Sequence, residues 1–250
     1  MNSTTKIGII GAMDMEVEAL RSHIVRGSVV QRCGMEFVHG TLGRSEVVVV
    51  MSGEGKVNAA LCAQVLIDQF GVGAVINTGV AGALDAGLSV GDIVVATDCV
   101  EHDMDCTTLG YAPGQVPNMD VLVFPVDERL AMSAVRAAEE EGLAAKLHRG
   151  RVATGDVFVA SAERKGAIVD AFGAMCVEME GAAIAHACYL NHIPCLVIRV
   201  ISDSSDGGAV EDYPAFKIQT AHDCAALVER MANRFGEGKR STTWGLSGTE

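Results

Sequence analysis

Short apolar runs alternate along the chain with segments whose apolar positions recur every three or four residues. The apolar runs end at Gly, Pro or polar residues and predict buried strands, because strands covered on both faces are almost continuously hydrophobic. The predicted strands are Ile7–Ile10, Met35–Leu42, Glu46–Met51, Ala74–Asn77, Asp92–Ala96, Arg149–Thr154, Cys176–Met179 and Cys195–Ile201.

The segments with a helical period fall between these strands. Asp14, Asp127 and Ser161 are side chains that can cap a helix, and Gly142 is a stop signal. The predicted helices run from Asp14 beyond Leu20, Val57–Phe70, Asp127–Glu141, Ser161–Phe172, Ala182–Tyr189 and Phe216–Phe235. This alternation predicts one α/β domain over residues 1–236, followed by a Gly-, Ser- and Thr-rich tail over 237–250 that is expected to be disordered.

Composition agrees with a sheet covered on both faces. Hydrophobic residues make up 49% of the 250 residues and aromatic residues only 4%, so Val, Ile, Leu, Ala and Met must form the core. The net charge of −13 would repel a phosphate backbone, and we therefore expect no nucleic-acid partner.

Sequence features also bear on location. No stretch is long and apolar enough to cross a membrane, and the short polar stretch 1–6 predicts neither a signal peptide nor an anchor. The eight cysteines are scattered without a Cys-x-x-Cys pair, which favours reduced thiols over zinc or disulfides. We expect a soluble cytoplasmic protein.

Polar residues collect where predicted strands end. Glu16, Glu178, Glu180 and Asp203 follow three different strands, and Arg199 lies within the last of them. Because ligands of α/β sheets bind at the carboxyl ends of strands, these residues predict a shared cleft. Because an unpaired charge in an apolar strand is costly, Arg199 is expected to pair with one of the glutamates. The alternative is that this pair is purely structural.

The strand Cys176–Met179 leads directly into this cluster. Side chains alternate along a strand, so Glu178 and Glu180 are expected on one face and Val177 and Met179 on the other. Glu180 would then lie near the positive end of the following helix, where it either binds substrate or merely offsets the helix dipole.

Three loops carry further signals. The Gly-rich turn Ser52–Lys56 precedes a helix and could hold an anion, although it matches no nucleotide-binding motif and could be purely structural. The crowded acids and histidine of Glu101–Asp105 lack the spacing of a metal site, so no metal is expected. The Gly- and Pro-rich loop Thr107–Met119 is expected to be functional or interfacial.

Five stretches together resemble the 5′-methylthioadenosine/S-adenosylhomocysteine nucleosidases. The resemblance extends from Lys6 to about Phe235, with the stretches in order and at compatible spacing. The stretches are Gly8–Met13 with Glu16, Ser52–Val57, Asn77–Gly82, Val177–Glu180 and Arg199–Asp203.

The resemblance implies the nucleoside phosphorylase-like fold, which is a single three-layer αβα domain with a central twisted mixed sheet. It implies hydrolysis of the N-glycosidic bond of methylthioadenosine and adenosylhomocysteine, with release of adenine and a thioribose. It further implies a homodimer that binds a small nucleoside and needs neither a metal nor an organic cofactor.

The resemblance also implies the catalytic roles. Asp203 matches the acid that protonates adenine N7, and Glu16 matches the base that activates water on the opposite face. This is the two-carboxylate chemistry of inverting glycoside hydrolysis. Glu180 matches the residue that binds the ribose hydroxyls, and Arg199 matches the residue that helps hold the water and the glutamates.

Other matched positions would bind the substrate. Phe158 would stack on adenine, the Val159 backbone would read its edge, Met179 would pack on the ribose, and Met13 would lie near the 5′ sulfur. The residues Val80, Ala81, Gly82 and Glu178 would line the site, and a loop containing Cys106, Leu109, Tyr111 and Pro117 would cover the partner subunit's 5′ pocket.

Two positions depart from the family pattern. Val80 stands where many members have serine, so a hydroxyl contact is lost while a backbone role survives. Leu109 replaces a common aromatic residue, which leaves open the preference between the small methylthio and the large homocysteinyl group.

Three other functions compete with this interpretation. A phosphate-dependent purine nucleoside or methylthioadenosine phosphorylase could share the fold, although Glu54 beside Lys56 favours water over phosphate. A related hydrolase such as a futalosine hydrolase is a second alternative. A nucleoside-binding protein without catalysis is a third, and the presence of both Glu16 and Asp203 counts against it.

Overall fold

A mixed sheet of ten strands forms the centre of the molecule in the computed structural model, which describes residues 5–205 and 224–234. The strands are β1 Ile7–Gly11, β2 Val25–Arg32, β3 Met35–Leu42, β4 Ser45–Met51, β5 Ala74–Ala83, β6 Ile93–Glu101, β7 Phe124–Pro125, β8 Leu147–Thr154, β9 Cys176–Glu178 and β10 Cys195–Asp203. The helices are α1 Asp14–Ser22, α2 Lys56–Phe70, α3 Glu128–Glu140, α4 Ala162–Phe172, α5 Gly181–Leu190 and α6, residues 224–234.

The helices cover both faces of this sheet. On one face the apolar sides of α2 and α5 pack in one core cluster, and on the other face α1, α3 and α6 pack in a second. The resulting three layers with a central mixed sheet confirm the predicted fold class.

The middle of the sheet is parallel and apolar. β1 lies between β4 and β5 and runs parallel to both, and β10 runs parallel to β5 on the other side. Every residue of β1 and β10 is buried. β10 lies inside the sheet, because it pairs with both β5 and β6.

The sheet closes on itself around β5. From β10 the pairing continues through β6, β8 and β9 and returns to β5. On one edge of β5, β1 pairs as far as Asn77, and β9 pairs only at Gly82 and Ala83. Between these two pairings, residues 78–81 have no neighbouring strand on this edge, and the side chain of Glu16 lies there instead. The candidate site forms at this interval.

Most predicted elements are confirmed, and the differences have physical causes. The sequence pattern missed β2 because nearly all of its residues are exposed and it has no apolar face. β5 and β6 extend beyond the predicted ends, because small and polar residues such as Thr78 and Asp98 continue both strands. Asp127 and Ser161 cap α3 and α4 as predicted, whereas Met13, not Asp14, precedes α1.

Some predictions fall outside the described residues. The predicted last helix is helical over 224–234, and its remaining residues lie outside that range. The predicted tail 237–250 also lies outside it. Across residues 5–205 and 224–234, no helix is long and apolar enough to cross a membrane. All eight cysteines are free, and six of them are buried.

Candidate active site

An open cavity of about 620 Å³ lies where β1, β5, β9 and β10 end. Sixteen residues line it, namely Ala12, Met13, Glu16, Glu54, Val80, Ala81, Gly82, Val157, Phe158, Val159, Val177, Glu178, Met179, Glu180, Ser202 and Asp203.

The carboxylate of Glu16 occupies the interval beside β5. Its Oε2 accepts hydrogen bonds from the backbone N–H groups of Ala12 at 2.7 Å and Met13 at 2.9 Å, and its Oε1 accepts one from Val80 N–H at 3.1 Å. Burial raises the pKa of Glu16, and these backbone donors oppose the rise. A fixed carboxylate with a raised pKa is a stronger base and is suited to take a proton from water.

Asp203 ends β10 with both of its oxygens engaged. Its Oδ1 accepts from the Ser202 hydroxyl at 2.9 Å, and its Oδ2 accepts from Lys165 Nζ at 2.9 Å. Lys165 also donates to the backbone carbonyl of Ser204. Both partners of the ion pair are almost completely buried. The cavity is therefore closed at this end by a carboxylate that a buried cation holds in place.

Glu180 stands immediately before α5, at the point where the chain leaves β9. Its Oε1 accepts a hydrogen bond from Gly55 N–H at 2.8 Å. Burial, and after it the negative charge of Glu178, raises the pKa of Glu180 to about 8. A negative charge on Glu180 is thus costly in this cavity and is stabilised when positive charge develops beside it.

The Gly-rich turn holds carboxylates of the protein itself. Besides the Gly55 contact, the N–H of Lys56 donates to Asp156 at 2.8 Å. The Lys56 ammonium lies 2.7 Å from an oxygen of Asp103 and 3.1 Å from one of Glu101. The anion-binding groups of this turn are therefore already used by acidic side chains.

Arg199 lies behind the cavity wall as a buried cation. Its Nε donates to Glu178 Oε2 at 3.0 Å, and its Nη2 donates to both Glu178 and Asn77. Glu178 also accepts from Thr154 and from the backbone N–H of Gly181. The predicted pairing of Arg199 with a glutamate is confirmed. Burial lowers the pKa of Arg199, but the surrounding glutamates outweigh burial and raise it above its ordinary value.

The predicted alternation along the strand before α5 is wrong. β9 ends at Glu178, so Met179 and Glu180 belong to the turn into α5. Val177, Glu178, Met179 and Glu180 all line the same cavity. The turn redirects the side chains, and the period of two applies only within the strand.

Two glycines of β5 let these carboxylates approach the strand closely. A Cβ at Gly79 would lie 2.6 Å from Glu16 Oε1, and a Cβ at Gly82 would lie 2.8 Å from Asp203 Oδ2. Both distances are shorter than van der Waals contact. The small residues of β5 therefore leave space for the carboxylates.

The mouth of the cavity is more apolar and more exposed. The Phe158 side chain is 54% exposed, whereas its neighbour Val159 is buried. Met13 and Met179 are half-buried and line the cavity. A flat apolar ligand could pack here while polar groups bind the carboxylates deeper in the cavity.

The structure brings most of the predicted site residues together. Arg199 contacts the cavity wall through Glu178 and does not line the cavity itself. Val80 keeps a backbone contact to Glu16, as expected for a position without the serine hydroxyl. The predicted residues that line the cavity are Met13, Glu16, Val80, Ala81, Gly82, Phe158, Val159, Glu178, Met179, Glu180 and Asp203.

The four residues predicted for the partner's pocket do not join this cavity. Leu109 is 74% exposed, and Cys106, Tyr111 and Pro117 are half-buried in the same loop. None of the four lines the cavity of its own chain.

Sequence reasoning missed several polar residues of the site. Lys165 was not predicted as a site residue because it lies in a helix and not at a strand end. It shares the buried face of α4 with Ile168, three residues later. A charged residue on the apolar face of a helix is the signal that could have found it. Thr154 and Ser202 stand at or near the ends of β8 and β10 and could have been found by that criterion, whereas Asn77 lies within β5.

The arrangement can support acid and base chemistry on one bound molecule. Glu16 reaches the cavity from the first turn of α1, Asp203 from the end of β10, and Glu180 from the turn before α5. Among the described residues, no group of three or more His, Cys, Asp or Glu side chains could hold a metal ion.

Comparisons with known proteins agree with this geometry. Residues 6–233 match the family described as the Phosphorylase superfamily. A curated 5′-methylthioadenosine/S-adenosylhomocysteine nucleosidase of Staphylococcus aureus (strain JH9) is 39% identical over 229 residues, which cover 91% of this chain and 99% of the relative.

Solved structures give the same result. The Neisseria meningitidis 5′-methylthioadenosine/S-adenosylhomocysteine nucleosidase, in complex with methylthio-immucillin-A, has a TM-score of 0.89 at 37% identity and covers 92% of this chain and 99% of its own. The Helicobacter pylori futalosine hydrolase has a TM-score of 0.87 at 35% identity, with coverage of 92% and 98%.

Proposed function

Because the chain belongs to the 5′-methylthioadenosine/S-adenosylhomocysteine nucleosidases of the Phosphorylase superfamily, we propose that its cavity hydrolyses the N-glycosidic bond of both nucleosides through Glu16, Glu180 and Asp203. The observation that carries the proposal is that these three carboxylates line one cavity, each in a different setting. Glu16 is held by backbone N–H groups, Asp203 by a lysine, and Glu180 by one N–H beside other acids.

The reaction needs a proton on adenine and a water at the sugar. Asp203 Oδ2 first takes a proton from the Lys165 ammonium 2.9 Å away and then donates it to N7, so that adenine leaves as a neutral base when the bond to C1′ breaks. For this step Oδ2 exchanges its contact with Lys165 for the adenine ring. Glu16 takes a proton from the water whose oxygen bonds to C1′, and the other product is a thioribose.

Glu180 stabilises the sugar in the transition state. As the bond to adenine breaks, positive charge spreads over C1′ and the ring oxygen. A carboxylate whose ionised form is disfavoured by burial and by neighbouring acids gains the most from such a charge. The same carboxylate accepts hydrogen bonds from the ribose hydroxyls.

Water is favoured over phosphate as the second reactant. Phosphate would need free cations or N–H donors. In the Gly-rich turn, the N–H groups of Gly55 and Lys56 already donate to Glu180 and Asp156. The nearby cation Lys56 is paired with Glu101 and Asp103. An incoming phosphate would also meet the carboxylates of Glu16 and Glu180.

The proposal extends to a homodimer in the cytoplasm. Leu109 and Val57 are large apolar side chains that are 74% and 78% exposed, which favours contact with a second copy. The loop that contains Leu109 lies outside the cavity of its own chain, as a loop that serves the partner would. Eight free thiols favour a reducing compartment.

The test is product analysis with purified protein and methylthioadenosine, with and without phosphate. Free adenine and methylthioribose in both reactions, at the same rate, are the expected result. Adenine that forms only with phosphate, together with a sugar 1-phosphate, would assign the chain to the phosphorylases instead.

Similarity to a futalosine hydrolase supports one further candidate substrate. The same assay with futalosine decides whether the cavity also accepts this nucleoside. We expect a lower kcat/KM for futalosine than for methylthioadenosine, and the opposite order would make the futalosine activity the primary one.

A further inference from the structure

One acidic residue of the cavity differs from the other four. Glu16, Glu178, Glu180 and Asp203 are all buried, and each accepts hydrogen bonds from the protein. Glu54 also lines the cavity but is exposed. Within residues 5–205 and 224–234, no hydrogen bond or ion pair involves its carboxylate. It is therefore a negative charge that a ligand could contact without displacing a protein partner.

Its position assigns Glu54 to the sugar side of the mouth. It directly precedes Gly55, whose N–H holds the proposed ribose-binding residue Glu180. The proposed adenine-binding groups, Phe158 and Asp203, belong to other segments of the wall. A substituent that leaves the ribose toward solvent from this cavity therefore passes the turn that carries Glu54.

In the described part of the chain, no cation is paired with Glu54. The closest one in sequence is Lys56, whose ammonium is paired with Asp103 and Glu101. The whole chain is strongly acidic, with a net charge of −13. The turn at the mouth therefore presents negative charge to whatever enters.

The two substrates of the proposed reaction differ in their charge at this place. The methylthio group is short and uncharged. The homocysteinyl group is a longer chain that ends in an ammonium and a carboxylate, and it extends toward solvent. A carboxylate on the protein attracts the ammonium, and it repels a substituent that carries only a carboxylate.

We propose that Glu54 is a specificity-determining residue that binds the ammonium of the homocysteinyl group and thereby favours S-adenosylhomocysteine relative to methylthioadenosine. The inference rests on the proposed function, because it assumes that both nucleosides bind with their ribose at Glu180. Exposed ion pairs are weak, so the expected contribution is about threefold to fivefold in kcat/KM.

The first test compares the ratio of kcat/KM for the two substrates in the wild type and in Glu54→Gln. The substitution keeps size and polarity and removes the charge. We expect the ratio of adenosylhomocysteine to methylthioadenosine to fall by about threefold to fivefold. Glu139→Gln, an exposed acid on α3 that does not line the cavity, makes the same change in net charge and is expected to leave the ratio unchanged.

An analogue of adenosylhomocysteine that keeps the carboxylate and lacks the amino group isolates the contact. Its kcat/KM is expected to rise in Glu54→Gln, because a repulsion is removed, whereas that of adenosylhomocysteine falls. The wild-type preference should also decline between 20 mM and 500 mM salt as the pair is screened, and the Glu54→Gln preference should not.

The outcomes separate the two proposals. If the wild type hydrolyses methylthioadenosine but the ratio is the same in Glu54→Gln and wild type, the role of Glu54 is wrong and the proposed function stands. Parallel effects on both adenosylhomocysteine and its analogue would likewise overturn the ammonium contact. If neither nucleoside is hydrolysed by the wild type, the proposed function itself is wrong.

Discussion

The carboxylates of the cavity have different hydrogen-bond partners and different chemical roles, because their surroundings differ. Glu16 is fixed by three backbone donors, and burial raises its pKa, which suits a base. Asp203 is held between a hydroxyl and the buried Lys165. Burial and the neighbouring acids disfavour the ionised form of Glu180 until a positive sugar forms. The same functional group can thus act as base, acid and electrostatic stabiliser within one cavity.

Asp203→Asn tests the role of the proposed acid. The side chain keeps its volume but cannot donate a carboxylic proton, so we expect kcat to fall by about 10³-fold or more. Ser202→Ala, which removes one hydrogen bond to the same carboxylate, should cost much less. Circular dichroism checks that both variants fold. Asp203→Asn with wild-type turnover would remove Asp203 from the mechanism.

Glu180→Gln tests how much the buried Glu180 carboxylate lowers the free energy of unfolding when it is ionised. Because the pKa of Glu180 is raised to about 8 in the fold, its stabilising contribution is complete below its ordinary pKa and is lost as the pH rises through about 8. Glutamine does not titrate and can still accept from Gly55. Chemical denaturation should therefore show the variant to be more stable than the wild type by roughly 2 kcal/mol at pH 9.

The difference in stability between Glu180→Gln and the wild type should shrink toward pH 5, where the Glu180 carboxyl of the folded wild type is protonated. Hydrolysis of methylthioadenosine should be strongly reduced at both pH values. A stability difference that does not change with pH would show that Glu180 titrates normally.

At the scale of elements, β5 decides where the site forms. The strand is longer than its neighbour β1, and the interval that this leaves on its edge is filled by Glu16. Gly79→Ala would place a Cβ 2.6 Å from Glu16 Oε1 and displace the proposed base. We expect kcat to fall by about tenfold to a hundredfold, because misplaced catalytic groups lose rate steeply.

Gly166→Ala is the matched control for this substitution. Gly166 is exposed in the middle of α4, and a Cβ there would meet nothing within 4 Å. Alanine should stabilise the helix by about 0.5–1 kcal/mol and leave kcat unchanged. Equal losses of activity in both variants would show that the space beside Glu16 is not what matters.

The sequence predicted elements and site positions to different extents. Elements with a buried apolar face, such as β1 and β10, could be predicted because their residues are continuously hydrophobic. β2 has no such face, so nothing in its pattern distinguishes it from a loop. Glu178 and Glu180 were identified, but a period of two placed Met179 on the opposite face, whereas β9 ends at Glu178 and Met179 lines the same cavity.

The partners of charged residues were harder to predict. The expectation that Arg199 pairs with a glutamate followed from the cost of an unpaired buried charge, and Glu178 fulfils it. The partner of Asp203 is Lys165, 38 residues earlier and on a helix. Only the tertiary packing of α4 against the end of β10 brings these two residues together.

At the scale of the whole molecule, exposed apolar side chains on α2 bear on the proposed dimer. Val57 and Leu61 lie one helical turn apart and are 78% and 42% exposed. We expect the wild type to sediment as a dimer. Val57→Glu should shift it to the monomer, because a charge would be buried in the interface. A dimer that persists in the variant would place the interface elsewhere.

The central claim is that water, activated at Glu16, replaces adenine at C1′ of the sugar. The most direct measurement is mass spectrometry of the sugar product after methylthioadenosine is incubated in ¹⁸O-labelled water with unlabelled phosphate present. We expect the wild type to form a methylthioribose that carries one ¹⁸O atom, and we expect Glu16→Gln not to form this product. A methylthioribose 1-phosphate without the label would contradict it.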